Sequence, residues 1–240
     1  MSSPQRWLWW VVAGGAAVIL LAVGGPFVFF HFVEGSTPAP LSLKSSSATA
    51  AAATPSAGGA TAGSAGPVAG TWKVSSGSQV GYRVQEILFG QQHTAVGRSS
   101  DVTGSMVISG AVVRTASFTV PMSSIHTDSS QRDAQFDGRI MDVAAYPHGT
   151  FTLTRPISLD PRPATGTVRT YTATGNLTLH GHTQQVSFTL TAQRTATAIK
   201  VAGSIPVTFA RWGIPNPSFS GFVTTQNHGL LEFLLTLSKS

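Results

Sequence analysis

Short segments in which apolar and polar residues alternate fill the chain from Trp72 to the C-terminus. A period of two places every second side chain on the same face of a β-strand. Gly, Pro, Asn or Ser separate the segments, and Val, Thr, Phe and Tyr are abundant within them, as is typical of strands. Eight segments follow this pattern: residues 80–89, 104–110, 115–122, 149–157, 171–181, 184–192, 198–209 and 229–238. The pattern predicts an all-β domain, either an antiparallel barrel or a sandwich.

One charged stretch, residues 127–151, interrupts the strand pattern. It contains six Asp or Arg residues, although only 10% of the whole chain is charged. Asp128 or Ser129 can accept hydrogen bonds from the first turn of a helix, and the residues that follow have helical spacing. Gly138 and the Tyr-Pro pair at 146–147 end the stretch. The sequence therefore predicts one short helix inside the β domain.

An almost unbroken apolar run covers residues 7–33. Nineteen residues precede Pro26 in this run, which is long enough to cross a hydrocarbon core of about 30 Å. Arg6 comes before the run and Glu34 follows it, so the positive-inside rule places the N-terminus in the cytoplasm. A cleaved signal peptide has a shorter apolar core. Residues 1–34 are therefore predicted to be a cytoplasmic stub and an uncleaved, single-pass transmembrane anchor in the cell membrane, with the C-terminal domain extracytoplasmic.

Residues 35–70 consist almost entirely of Ala, Gly, Ser, Thr and Pro. Such a segment cannot bury enough apolar surface to offset the entropy lost on ordering. It is predicted to be a disordered, flexible linker. Residues 71–240 remain as one folded domain, whose length suits a single hydrophobic core.

Composition and charge exclude several classes of function. The chain has no cysteine, which rules out disulfides, thiolate metal sites and a cysteine nucleophile. Residues 71–240 carry thirteen Lys or Arg against eight Asp or Glu. A nucleic-acid-binding surface needs clustered basic residues with aromatic neighbours. Along this sequence the arginines are scattered singly, so no nucleic-acid partner is predicted: Arg83, Arg98, Arg114, Arg155, Arg169 and Arg194.

The sequence contains no convincing catalytic or metal-binding set. His180 and His182 have the spacing of two ligands on one strand face, but they lie in a predicted hairpin turn and no third ligand is evident. There is no Gly-x-Ser-x-Gly or Ser-x-x-Lys motif of a serine nucleophile. Asp133 and Asp137 are one helical turn apart, as a carboxylate pair could be. Neighbouring arginines favour an ion-paired helix instead. No enzyme activity, metal or cofactor is predicted.

The apolar faces of the strands are candidates for the barrel interior. An eight-stranded barrel either fills its interior with side chains or holds one small ligand, and the sequence leaves both open. Trp212 lies close to Pro215 and Pro217, where it either lines a barrel mouth or plugs an end. The candidate ligand-binding residues are Phe118, Val120, Met122, Phe151, Leu153, Leu177, Leu179, Phe188, Leu190, Phe209, Trp212 and Phe233.

Three motifs carry a resemblance to a known family. The first is Ser-Ile-His-Thr at 124–127, followed by Gln-Arg-Asp at 131–133, Met-Asp-Val at 141–143 and the Tyr-Pro pair. The second is Gly-Asn-Leu-Thr-Leu-His-Gly at 175–181, and the third, a weaker one, covers 209–214. In this order the motifs resemble those of the YceI-like, polyisoprenoid-binding family of bacterial proteins.

The resemblance implies a lipocalin-like antiparallel eight-stranded barrel with a short helical insertion. It also implies an interior that receives the hydrophobic tail of an isoprenoid quinone or polyprenyl lipid. The leading prediction is therefore a membrane-anchored protein that holds or shuttles such a lipid. The alternative is a surface-displayed structural or interaction module with a filled barrel core. A monomer and a dimer both remain open.

Overall fold

The computed structural model describes residues 37–43, 67–88, 90–159, 164–219 and 223–240. Pro38–Ser240 forms one compact unit. The predicted anchor in residues 1–34 and most of the predicted linker lie outside the described residues. Within the described ranges, no helix has the length and apolar character needed to cross a bilayer.

Twelve strands occur in the described residues and join in one antiparallel sheet. Their bounds are β1 Gly70–Val74, β2 Gln79–Leu88, β3 Gln91–Ser99, β4 Thr103–Ser109, β5 Val112–Pro121, β6 His148–Leu153, β7 Ile157–Ser158, β8 Val168–Leu179, β9 His182–Arg194, β10 Ala198–Thr208, β11 Val223–Thr225 and β12 His228–Lys239. The all-β class predicted from the alternation is confirmed.

Eight strands close the sheet into a barrel. They follow the order β1-β4-β5-β6-β8-β9-β10-β12, and β1 pairs back onto β12 with Trp72 opposite Lys239. The other half of β12 pairs with β2, which forms a hairpin with β3. The predicted antiparallel eight-stranded barrel is thus confirmed. Closure removes the free edges of the ring, which would otherwise expose unpaired backbone groups.

The alternation located eight of the twelve strands but missed β1, β3 and the two short strands β7 and β11. In β3 the three consecutive residues 95–97 are all buried, so the strand lacks the period of two that reveals a strand with one solvated face. The β2–β3 hairpin lies outside the eight-stranded ring, although residues 80–89 show one of the eight alternating segments. Pairing, rather than local pattern, decides which strands form the ring.

The predicted short helix is present as α1, Ser130–Gln135. The hydroxyl of Ser129 accepts a hydrogen bond from the backbone N–H of Arg132 at 3.3 Å, as an N-cap residue does. The Asp133 carboxylate accepts hydrogen bonds from the backbone N–H of Thr127 at 2.9 Å and from its hydroxyl at 2.7 Å. A short π-helix, Phe136–Ile140, follows directly. The Asp133 side chain therefore anchors the insertion to the end of the preceding segment.

The two ends of the barrel differ. At the helical end, β8 turns into β9 with Leu179 opposite His182, and β5 leads into α1. At the opposite end, β8 and β10 begin while β9 and β12 end. The chain also enters β1 at this opposite end, because Gly70 pairs with Ile108 near the end of β4.

The close approach of β2 and β3 requires glycine at position 81. A Cβ atom there would lie less than 3.0 Å from the carbonyl oxygen of Gly97 on the neighbouring strand. We expect Gly81→Ala to lower the free energy of unfolding by about 2 kcal/mol, because backbone would have to move. Urea denaturation measures this loss.

Gly138→Ala is the matched control for this substitution. A Cβ at Gly138 would meet no atom of the described residues within 4 Å. We expect the control to change stability by less than about 0.5 kcal/mol. Equal effects of the two alanines would contradict the close approach.

Candidate functional site

An apolar cavity of about 170 Å³ lies inside the barrel. All its lining residues have apolar side chains except Gly81, Gly149, Thr150 and Glu232. The Glu232 carboxylate is paired with two arginines and so is not available to a ligand. An apolar site with few polar groups selects hydrocarbon and gives little orientation to a polar head.

Most of the predicted interior residues line this cavity. Phe209 and Trp212 do not line it. The predicted residues that do are Phe118, Val120, Met122, Phe151, Leu153, Leu177, Leu179, Phe188, Leu190 and Phe233. Their strands were correctly oriented by the period of two, because each belongs to a run with one apolar face.

Trp212 lies in a 3₁₀ turn, Phe209–Trp212, at the helical end. Its side chain is fully buried, and its indole N–H donates to the carbonyl oxygen of Leu177 at 3.2 Å. The sequence left two roles open for Trp212, and its complete burial fits a plug at the barrel end better than a residue that lines a mouth. The burial has a physical reason: the large aromatic ring gains from removal from water, and the indole N–H keeps a hydrogen-bond partner.

Several residues that line the cavity are not among the predicted candidates. They are of two kinds: small side chains and residues near the strand ends opposite the helix. Alanine on an inward face gives no apolar signal of its own, whereas continuing the alternation four residues beyond Phe233 would have found Leu237. The missed residues include Met106, Val113, Ala116, Ala173 and Leu237.

Three phenylalanine rings pack edge to face inside the barrel. The ring centroids of Phe151 and Phe188 are 5.5 Å apart with planes at 69°. Those of Phe188 and Phe233 are 5.8 Å apart at 76°. Such ring pairs stabilise a fold by more than the burial of their apolar surface alone. The cluster therefore fills part of the interior and borders the cavity.

At the helical end, Phe136 of the π-helix stacks on Tyr82 of β2. The ring centroids are 5.2 Å apart and the planes differ by 11°. Burial raises the pKa of Tyr82 above its ordinary value of 10.0, and nearby Asp133 raises it further, while Arg132 opposes the shift. The neutral phenol is the form that this site accepts.

Stability should fall above pH 10 because of this tyrosine. A pKa that is higher in the folded than in the unfolded chain gives a contribution that is complete below the unfolded pKa and is lost as pH rises towards the folded pKa. We expect Tyr82→Phe to flatten the decline in the free energy of unfolding between neutral pH and the alkaline range. Burial also raises the pKa of Tyr171, which is more exposed, so Tyr171→Phe is the comparison and should flatten the decline less. An unchanged alkaline decline in Tyr82→Phe would contradict the assignment.

A buried ion triad joins β12, β2 and β3. Glu232 is 4% exposed, and its carboxylate is paired with Arg83, whose Nε donates at 3.1 Å, and with Arg98. Register places Glu232 opposite Gly81 and Gly81 opposite Arg98, so Glu232 and Arg98 lie in one row, and Arg83 lies two residues beyond Gly81 on β2. Arg83 also donates to the carbonyl oxygen of Pro38 at 2.6 Å. The triad thus links three strands and the start of the described chain.

Three of the polar residues considered for chemistry, His180, His182 and Asp133, are held by structural contacts. Nδ1 of His180 lies 3.3 Å from the Trp212 carbonyl oxygen, and Nδ1 of His182 lies 2.8 Å from the His180 carbonyl oxygen. In the described part of the chain, no three His, Asp or Glu side chains converge as a metal site. Asp133 is bonded to Thr127, as described above. The absence of catalysis stays a prediction.

Comparison with known proteins agrees with this geometry. Residues 72–236 match the family model of the YceI-like domain. The fold is similar to that of a polyisoprenoid-binding domain from Saccharophagus degradans that is implicated in plant cell wall breakdown, with 17% identity, a TM-score of 0.58 and coverage of 72% of this chain and 99% of that one. It is also similar to BcnA of Burkholderia cenocepacia, with 19% identity, a TM-score of 0.55 and coverage of 68% and 98%.

A comparison with curated proteins gives no match. The identities to the two solved structures are low, so these structures establish the shared fold and nothing about ligands. The family model covers well over half of the chain, and its range includes the barrel strands from β1 to most of β12. The chain therefore belongs to the YceI-like family.

Proposed function

We propose that this protein is a membrane-anchored, extracytoplasmic lipid-binding protein that holds or shuttles a polyisoprenoid chain, such as the tail of a quinone, inside its barrel. The observation that carries the proposal is the cavity of about 170 Å³ with an almost wholly apolar lining. The solved relative from Saccharophagus degradans, described as polyisoprenoid-binding, supports the ligand class.

The energetics favour a hydrocarbon occupant. Burial of each CH₂ group contributes about 0.8 kcal/mol, and apolar cavities of about 150 Å³ bind molecules the size of benzene. The cavity therefore accommodates a segment of about one isoprene unit. A longer tail would need more space than this cavity offers, and the edge-to-face rings of Phe151, Phe188 and Phe233 border it.

Lipid extraction tests the ligand. Residues 38–240, the compact unit, are produced in bacteria, purified without detergent, extracted with organic solvent and analysed by mass spectrometry. We expect an isoprenoid lipid in stoichiometric amount. Its reproducible absence would favour the alternative of a structural or interaction module. The interior partly filled by aromatic rings is the observation that supports this alternative.

Cysteine labelling tests the anchor and its orientation. The chain has no cysteine, so Ser3→Cys and Thr197→Cys each introduce a unique thiol. We expect a membrane-impermeant maleimide to label Thr197→Cys in intact cells and Ser3→Cys only after lysis. Labelling of both variants in intact cells, or release of the full-length chain by carbonate washing, would contradict the proposed topology.

A further inference from the structure

The barrel separates its charges along its axis, although the sequence scatters them. Six basic residues on strands of the ring lie within four residues of a strand end at the barrel end opposite the helix; we call them the basic ring. They are Lys73 on β1, Arg114 on β5, Arg169 on β8, Arg194 on β9, Lys200 on β10 and Lys239 on β12. They stand on six of the eight strands of the ring, so they encircle the rim.

Register shows that these residues share one end. Arg169 is opposite Ala192, two residues before the end of β9, and Arg194 is opposite Ile199 at the start of β10. Lys200 is opposite Thr236, and Lys239, the last residue of β12, is opposite Trp72. Lys73, Arg114, Arg169 and Lys239 are exposed. These four positive charges therefore face solvent.

The acidic residues lie elsewhere in the described chain. Five of them lie at the helical end: Glu86, near the end of β2, and four aspartates of the insertion. Glu232 is neutralised in the ion triad, and Asp101 lies in the β3–β4 turn. The four aspartates are Asp128, Asp133, Asp137 and Asp142. Residues 160–163, which are not described, add one Asp and one Arg by sequence and leave the balance unchanged. The barrel thus has a cationic end and a weakly anionic end.

We propose that the basic ring is a docking surface for an anionic lipid bilayer. A closed ring of charges can meet a planar anionic surface with all its members at once, whereas a linear polyanion crosses only part of it. Each Lys or Arg near such a surface strengthens binding roughly fivefold. Val168, which is 50% exposed beside Arg169, adds an apolar contact at the same rim. The basic ring orients the barrel with its helical end away from the lipid.

This inference is independent of what the cavity holds, and its test has a different readout. Residues 38–240 form a compact unit with their own core, and the solved relative consists of this domain almost alone. Binding of this unit is measured by flotation with vesicles of phosphatidylglycerol and phosphatidylcholine, and with vesicles of phosphatidylcholine alone. We expect binding only to the anionic vesicles, and we expect it to weaken as salt screens the charges.

Two double variants with the same loss of net charge test the location. Arg114→Gln with Arg169→Gln removes two members of the basic ring and should weaken binding about 30-fold. Arg139→Gln with Arg211→Gln removes two exposed arginines of the helical end and should change it less than about threefold. Circular dichroism checks that both variants are folded. Equal losses, or no binding of the parent protein, would overturn the proposal.

Orientation supplies an independent readout. Thr197→Cys places a thiol in the β9–β10 turn at the basic ring, and Gly138→Cys places one in the π-helix at the other end. An environment-sensitive dye should respond to anionic vesicles at position 197 and not at position 138. The reverse response would overturn the orientation. Displacement of the protein from vesicles by duplex DNA at equal phosphate concentration would assign the surface to polyanions in general, and so would also overturn the proposal.

Discussion

Replacing Glu232 by glutamine is expected to lower the free energy of unfolding by about 4 kcal/mol, because it leaves two arginines without their counter-charge. Arg83 and Arg98 have side chains that are 12% and 17% exposed, so water replaces the lost carboxylate poorly. Burial already lowers the pKa of Arg98, and Glu232 opposes that shift. Denaturation by urea measures the loss.

Two further variants test whether the ion triad is the cause of this loss of stability. Asp101→Asn removes an exposed carboxylate from the β3–β4 turn and should cost less than about 0.5 kcal/mol. Replacing Glu232 by leucine together with both arginines by methionine removes all the buried charge and should recover most of the stability. A loss below about 1 kcal/mol in Glu232→Gln would show that the triad is solvated and contributes little.

Filling the cavity is expected to weaken hydrocarbon binding strongly while leaving the fold intact. Ala173 is 2% exposed and lines the cavity opposite Phe188. In Ala173→Leu, the isobutyl group would occupy space that a ligand otherwise takes. The affinity for geranylgeraniol, a polyisoprenoid alcohol used as probe, should fall about 50-fold, as expected for the loss of about three buried CH₂ groups. Isothermal titration calorimetry measures the affinity.

A buried alanine outside the cavity is the matched control. Ala202 is 3% exposed and is not among the cavity-lining residues. Ala202→Leu should overpack its site and cost about 2 kcal/mol of stability, with the affinity for the probe unchanged. Ala173→Leu should cost less than about 1 kcal/mol. A large loss of stability in Ala173→Leu would mean that the interior is a filled core.

The fold could be predicted largely from local pattern. The period of two identified the faces of most strands, and the capping residues beside Ser129 located α1. β1 was missed because it offers only five residues, and β3 was missed because it buries residues 95–97 consecutively. Membership in the eight-stranded ring could not be predicted in this way, since it depends on pairings such as Trp72 with Lys239, far apart in sequence.

The candidate site was predictable where large apolar residues alternate. Phe118, Phe151, Phe188 and Phe233 all line the cavity. Ala173 was missed because a small side chain carries little apolar signal, although its smallness helps to leave the space open. The role of Trp212 depended on a backbone partner, the Leu177 carbonyl oxygen, which comes from a distant strand.

By itself, the sequence determined the all-β class, the inward face of most strands, the short helical insertion and the family to which the chain belongs. These follow from alternation, capping and motifs, which act over a few residues. The tertiary structure alone decided the closed ring, the volume left inside it, the buried triad around Glu232 and the gathering of scattered basic residues at one end. Each of these depends on strand register, which joins residues far apart in the chain and which local pattern does not encode.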